Sequence, residues 1–170
     1  SDVIRCIPVD NPEPDFSDAL AKSANEKKQW HSNLCGYIVK KDSPSCGMER
    51  VKIWDDVMPI REGVGIYAGK MMENFPYLPV EEEGRLGDAV LRENFIQRVF
   101  IMSRWKQLNE QGMTLNDLLK FHARHKLIIM SHNQNRYREL GQLLAAARKE
   151  NVLEVAEEYL LGLMRVLKIP

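Results

Sequence analysis

The chain has 170 residues, 44% of them hydrophobic, and its 24 Lys+Arg balance 24 Asp+Glu, which suits one globular domain or two small ones. Charge interrupts every apolar stretch well short of the roughly 20 consecutive apolar residues of a membrane span, and no secretory leader pattern is present. Three widely spaced cysteines do not make a disulfide framework, so the expectation is a cytoplasmic protein with no membrane partner.

The zero net charge hides a segregation. Residues 1–87 carry 11 Lys+Arg against 15 Asp+Glu, whereas residues 88–150 carry 11 against 6. That local excess is compatible with a polyanion, because phosphate contacts release counterions, and also with a plain solvated helical surface. Ser1 in place of Met, and Pro170 directly after a helical pattern, lead us to expect a processed or truncated piece of a longer chain.

In chain order, residues 3–9 have strand composition and Asn11, Pro12 and Pro14 break it. Ser17 is placed to cap a helix of about 15 residues reaching toward His31. Residues 35–39 read as a short buried strand, and the polar turn around Ser43, Pro44, Ser45, Cys46 and Gly47 follows it. Strand, helix, strand and loop is an α/β arrangement, in which ligands collect at the carboxyl ends of strands. Residues 51–54 suggest a further strand. Gly63, Gly65 and Gly69 precede a helix over residues 70–74, but their spacing is not that of a phosphate loop and no Gly-Lys-Ser/Thr follows; close packing of a helix start is the better account.

Residues 75–87, with two prolines, two glycines and Glu81, Glu82 and Glu83 in a row, read as a solvated linker or strap. From Asp88 the pattern is helical: Leu91, Phe95, Val99, Met102 and Trp105 recur at three and four, with Arg92, Arg98 and Arg104 on other faces, ending near Gly112. Thr114 can cap a second helix with Asp117 favourable in its first turn and Leu115, Leu118, Leu119, Leu127 and Ile129 as its apolar line. Asn133 can cap a third helix over residues 136–149, and residues 152–167 make a fourth. The expected fold is mixed and helix-dominated: a small, partial α/β domain over residues 1–76, a linker over 77–87, and an all-α bundle over 88–170 that is itself incomplete.

Cys6 and Cys35 lie in strand patterns, where cysteines serve as small buried hydrophobes. Cys46 is the functional candidate. Its thiol stands in a rigid polar loop beside hydroxyls, lysine and backbone N–H groups, surroundings that lower a thiol pKa and suit metal or sulfur chemistry. One cysteine cannot hold an iron–sulfur cluster. His122 and His125 are three apart, but no His-Glu-x-x-His is present and a third metal ligand is missing. With Arg124, Lys126, Arg136 and Arg138, and with Phe121 and Tyr137 interleaved, they form a candidate surface for phosphate and base contact; packing is the competing account.

Residues 40–47, Lys-Lys-Asp-Ser-Pro-Ser-Cys-Gly, and residues 79–86, Pro-Val-Glu-Glu-Glu-Gly-Arg-Leu, resemble the C-terminal part of the TudS-like thiouracil desulfidase domain. Residues 91–95, 121–127 and 137–141 look like the YbgA-type helical domain fused behind it, and the two together resemble RudS-type tRNA 4-thiouridine desulfidases. The resemblance implies a four-iron four-sulfur cluster held by three cysteines, with an open iron that takes the thiocarbonyl sulfur while water attacks the carbon. Cys46 matches the last cluster ligand, and Ser43 and Lys40 match catalytic positions beside it. The helical half would bind RNA through His122, Arg124, Lys126, Arg136 and Arg138. The implied partners are tRNA or a thiolated nucleobase, with a homo-oligomer also open. The family's other two cluster cysteines stand in motifs that this sequence lacks, and Cys6 and Cys35 do not replace them by context. The resemblance thus implies a cluster in a parent enzyme, but none, and no activity, in this chain alone. Two alternatives are a non-catalytic RNA-binding or protein-interaction module and a helical adaptor that dimerises.

Overall fold

The computed structural model describes residues 4–11, 13–54 and 58–170, which form eight α-helices and four short strands in two units, Ser1–Ala89 and Val90–Pro170. The mixed, helix-dominated class expected from the sequence is the class observed.

In the first unit, residues 4–9 do not form the expected strand, and Val3 lies outside the described residues. The backbone of Cys6 is instead tied to the start of helix α1 (Ser17–Glu26): Cys6 N–H donates to Ser17 Oγ and Cys6 C=O accepts from Phe16 N–H, both at 2.8 Å. Ser17 is therefore the first helical residue rather than the cap. Phe16 takes the capping position without a side-chain cap, and Asp15 Oδ1 accepts from Ser17 N–H at 2.9 Å and Ser17 Oγ at 2.6 Å just before it. The helix expected to reach His31 is interrupted at Lys27, and α2 (Lys28–His31) is a separate turn. That turn buries His31 against the rings of Trp30, Tyr37, Tyr67 and Phe75.

Strand β1 (Tyr37–Val39) is half-buried, and the four-residue β2 (Val51–Trp54) falls where the sequence placed it. Its antiparallel partner β3 (Pro59–Gly63) was not anticipated, because residues 59–62 are exposed on both faces and show no alternation. Helix α3 (Ile66–Asn74) starts four residues earlier than its composition suggested. The largest correction concerns residues 77–87. Far from being a solvated linker, they contain β4 (Val80–Glu82), wholly buried and paired parallel to β1 in the register Tyr37↔Val80, Ile38↔Glu81 and Val39↔Glu82, followed by a 3-10 turn, Arg85–Gly87. Val39, Met48, Ala68, Met71, Leu78 and Val80 form the core over which this sheet lies.

The second unit follows its local signals closely. Helix α4 (Ala89–Glu110) spans the predicted stretch, but Arg98, expected on an outer face, is buried with its guanidinium carbon 5.9 Å from the Phe95 ring centroid. Thr114 caps α5 (Leu115–Arg124) through a reciprocal box with Asp117, which satisfies two otherwise orphan N–H groups. The expected apolar line breaks where the helix does, at His125. Leu119 and Leu127 are exposed, and the inward line is Leu118, Phe121, His122, His125 and, in α6 (Lys126–His132), Ile129. Asn133 caps α7 (Gln134–Ala146) by accepting from Arg136 N–H at 3.0 Å, and α8 (Val152–Leu167) matches its predicted bounds. Trp105 stacks on Tyr159 and meets Phe121 edge-on, tying α4, α5 and α8 together. Among the described residues no helix is long and apolar enough to cross a membrane.

Candidate functional site

The Cys46 loop is built by three elements distant in sequence. Backbone at Asp42 (φ 56°) and Arg50 (φ 57°) adopts the left-handed conformation at either end of the turn, which reverses the chain sharply. Within it Gly47 N–H donates to Ser43 C=O at 2.8 Å and Cys46 N–H to Ser43 Oγ at 3.2 Å. Ser43 Oγ and Ser45 Oγ lie 3.1 Å apart, and Ser45 Oγ is 3.3 Å from Cys46 Sγ. Ser43 and Cys46 are thus brought together.

The loop's carbonyls cap helix α3. Gly65, Ile66 and Ala68 N–H groups donate to Gly47, Pro44 and Ser45 C=O at 2.8, 3.1 and 3.1 Å, so the orphan donors of the helix start are satisfied by the loop it supports. Gly65 is required there: a Cβ would fall 2.5 Å from Cys46 N. The glycine-rich stretch therefore serves close packing, as its spacing suggested.

The acidic strap supports the opposite side. Glu82, buried, accepts Met48 N–H at 3.0 Å and Glu49 N–H at 3.4 Å through Oε1. Glu81 accepts Arg85 Nε at 2.7 Å, and Arg85 Nη1 reaches Glu49 at 2.8 Å. Buried carboxylates are tolerated because each is paid in hydrogen bonds from fixed donors. Lys40 has its charged partner on the strap. Its ammonium pairs with Glu83, which also accepts Lys41 N–H at 2.7 Å, and the hydrogen bond it donates to Glu83 raises the lysine pKa.

Sequence reasoning missed Tyr67 and His31. Tyr67, in the first turn of α3, bonds His31 Nε2 at 2.8 Å. Burial, with contributions from Tyr37 and the nearby Cys46, pushes its hydroxyl up to about 12, so it stays a hydrogen-bond donor at neutral pH. Burial lowers the His31 pKa, and its Nδ1 is buried without a partner. The only sequence sign was an aromatic-rich context.

Residues 5–83 match the family described as 2-thiouracil desulfurase. The match ends on the strap that cradles the cysteine loop. Residues 126–170 match a second family, described as a protein of unknown function, DUF1722. The chain is 40% identical over 48 residues to "Uncharacterized protein YbgA" of Escherichia coli (strain K12), an alignment covering 28% of this chain and 28% of that relative. The order of the two family matches supports a fusion of a desulfidase-like segment with a YbgA-type one. No solved structure matches.

A four-iron cluster on three thiolates does not fit the side chains present. Cys6, Cys35 and Cys46 are half-buried and not disulfide-bonded, and among the described residues no three His, Cys, Asp or Glu side chains are grouped to hold a metal ion.

In the second unit the expected RNA-binding residues separate. His122 is a core residue: its Nδ1 bonds Tyr159 Oη at 3.0 Å, its ring stacks on Tyr137 at 4.7 Å, and burial lowers its pKa. It cannot share an exposed surface with the others. His125 is buried as well. Arg124, Lys126, Arg136 and Arg138 are exposed, with Arg136 bonded to Glu139 at 2.6 Å. Arg124 instead joins Arg104 and Lys120 in an open cleft of about 250 Å³ between α4 and α5; neither Arg104 nor Lys120 was singled out as a binding residue from the sequence.

Proposed function

We propose that the first unit carries part of a site that removes sulfur from thiolated uracil, with 4-thiouridine in tRNA as the substrate and the second unit contributing RNA contacts. The observation that carries this reading is the position of Cys46. The Cys46 thiol has the Ser45 hydroxyl at 3.3 Å, its backbone N–H donates to Ser43 Oγ, and the loop that carries it caps α3 and is held by the buried Glu82, inside the segment matched to 2-thiouracil desulfurase. In the net reaction, water replaces sulfur at the thiocarbonyl carbon and sulfide leaves. Ser43 and Ser45 hydroxyls and the protonated Tyr67 are the donors available around that exchange. A rigid loop matters because donors aligned beforehand need no reorganisation as charge develops. Cys46 is proposed as one thiolate of an iron–sulfur cluster whose remaining ligands are not grouped with it here. Lys40 acts indirectly, by holding Glu83.

The test is anaerobic incubation of 4-thiouridine-containing tRNA with the parent protein that the resemblance implies, reconstituted with iron and sulfide. Loss of the thiocarbonyl absorbance with matching sulfide release is expected, and Cys46→Ala should abolish both along with bound iron. Unchanged thiolated tRNA would sink the reading, even if the tRNA binds.

A further inference from the structure

The cleft between α4 and α5 lies in residues 104–124, outside both family matches. Arg104, Gln107 and Leu108 line it from α4 and Gln111 from the turn directly after it, and Asp117, Lys120, Phe121 and Arg124 from α5. Each set has the spacing i, i+3, i+4, i+7, so each is one face of its helix. Three cations, two carboxamides and one carboxylate therefore converge on an opening floored by Leu108 and Phe121.

The charges do not cancel. Asp117 is committed to the helix cap, its Oδ2 accepting Thr114 Oγ1 at 2.6 Å and Thr114 N–H at 3.2 Å. Among the described residues no carboxylate forms an ion pair with Arg104, Lys120 or Arg124. The unit as a whole carries 13 Lys+Arg against 8 Asp+Glu.

Arg104 is also held in place. His125 Nδ1 lies 2.8 Å from Phe121 C=O, which can only accept, so that nitrogen carries the proton. Burial keeps the ring neutral, leaving Nε2 as a lone pair 3.5 Å from Arg104 Nη1. A buried neutral histidine thus orients one guanidinium edge and leaves the rest of the fork open. A planar fork beside carboxamide donors suits the oxygens of a phosphate.

We propose that this cleft binds backbone phosphate of the RNA substrate, with Arg104 and Arg124 as the two forks and Lys120, Gln107 and Gln111 as supporting donors. The assignment rests on the tRNA reading given above. It moves the centre of that contact from the α6–α7 surface to the α4–α5 cleft.

The experiment is tRNA binding by the full 170-residue chain, followed by anisotropy across about 50 to 200 mM salt. Arg104→Gln with Arg124→Gln should weaken binding at least tenfold and lower the slope of log affinity against log salt by about two. Arg104→Lys with Arg124→Lys should keep most of the slope but lose severalfold in affinity, a control that retains the charge should the neutral pair fold poorly. If the unsubstituted chain binds tRNA and the Gln pair binds with the same affinity and slope, the cleft assignment is overturned while RNA binding stands. If the unsubstituted chain fails to bind tRNA even at low salt, the RNA reading falls and the cleft assignment falls with it.

Discussion

Gly65 packs so closely on Cys46 that the smallest side chain would collide with it: an added Cβ would stand 2.5 Å from Cys46 N and 2.5 Å from Ser45 C. Both are backbone atoms, which cannot swing aside as the end of a flexible side chain can. Gly65→Ala should therefore displace the cysteine loop, at a cost of about 1–3 kcal/mol. A lowered melting temperature together with faster alkylation of Cys46 is the expected result. Wild-type stability and reactivity would show that the loop shifts freely.

Glu82 is the buried acceptor that ties β4 to the far side of the same loop. Glu82→Ala leaves two backbone N–H groups without their charged partner, and hydrogen bonds to charged groups contribute about 1.5–3 kcal/mol. Chemical denaturation should show a loss of that size in the first unit, with Glu82→Gln intermediate because its amide oxygen still accepts. A loss below about 0.5 kcal/mol would mean that water replaces the carboxylate.

Burial lowers the pKa of His31, His122 and His125 in the folded chain. The unfolded chain then binds more protons than the folded one as pH falls through the ordinary histidine range, about 6.5. Stability should be full above that range and decline from about pH 7 toward pH 5. His122→Gln should flatten the decline measured by denaturant titration at each pH. A pH-independent midpoint in the unsubstituted chain would contradict neutral burial.

Tyr159 is fully buried, and its hydroxyl meets His122 Nδ1 at 3.0 Å. Burial raises its pKa far above the ordinary phenol range, so the group is a neutral partner of the histidine. Tyr159→Phe strands the imidazole nitrogen in the core and should destabilise the second unit by about 1–3 kcal/mol. The readout is helical circular dichroism during thermal unfolding. An unchanged midpoint would place the hydroxyl bond outside the stability of the bundle.

The second unit was largely legible because its determinants are local. Thr114 with Asp117, Asn133 with Arg136 N–H, and the apolar spacing of residues 152–167 act within one or two turns: the two caps open their helices as expected and the last helix keeps its expected bounds, whereas α5 stops at Arg124 and α7 ends at Ala146 rather than residue 149. Local spacing failed where a helix break changed the inward face. The turn at His125 left Leu127 exposed and drew His122 and His125 into the core, so residues chosen as a basic surface are partly structural. The i, i+3, i+4, i+7 spacing of Arg104 and Lys120 with their neighbours was present in the sequence, but only the pairing of α4 with α5 gives it a cleft.

The first unit was less legible because its sheet is closed by distant segments. The sequence by itself determined the strand at residues 51–54, the turn that carries Cys46 and the close-packing role of the glycines, all from short-range steric and hydrogen-bonding preferences. Only the tertiary structure decided that Glu81 and Glu82 are buried. Strand β4 pairs with β1 across more than 40 positions, and backbone donors from the cysteine loop satisfy Glu82. An acidic triplet beside glycine and proline is solvated unless donors fixed elsewhere in the fold replace water, and no local pattern records where those donors will be.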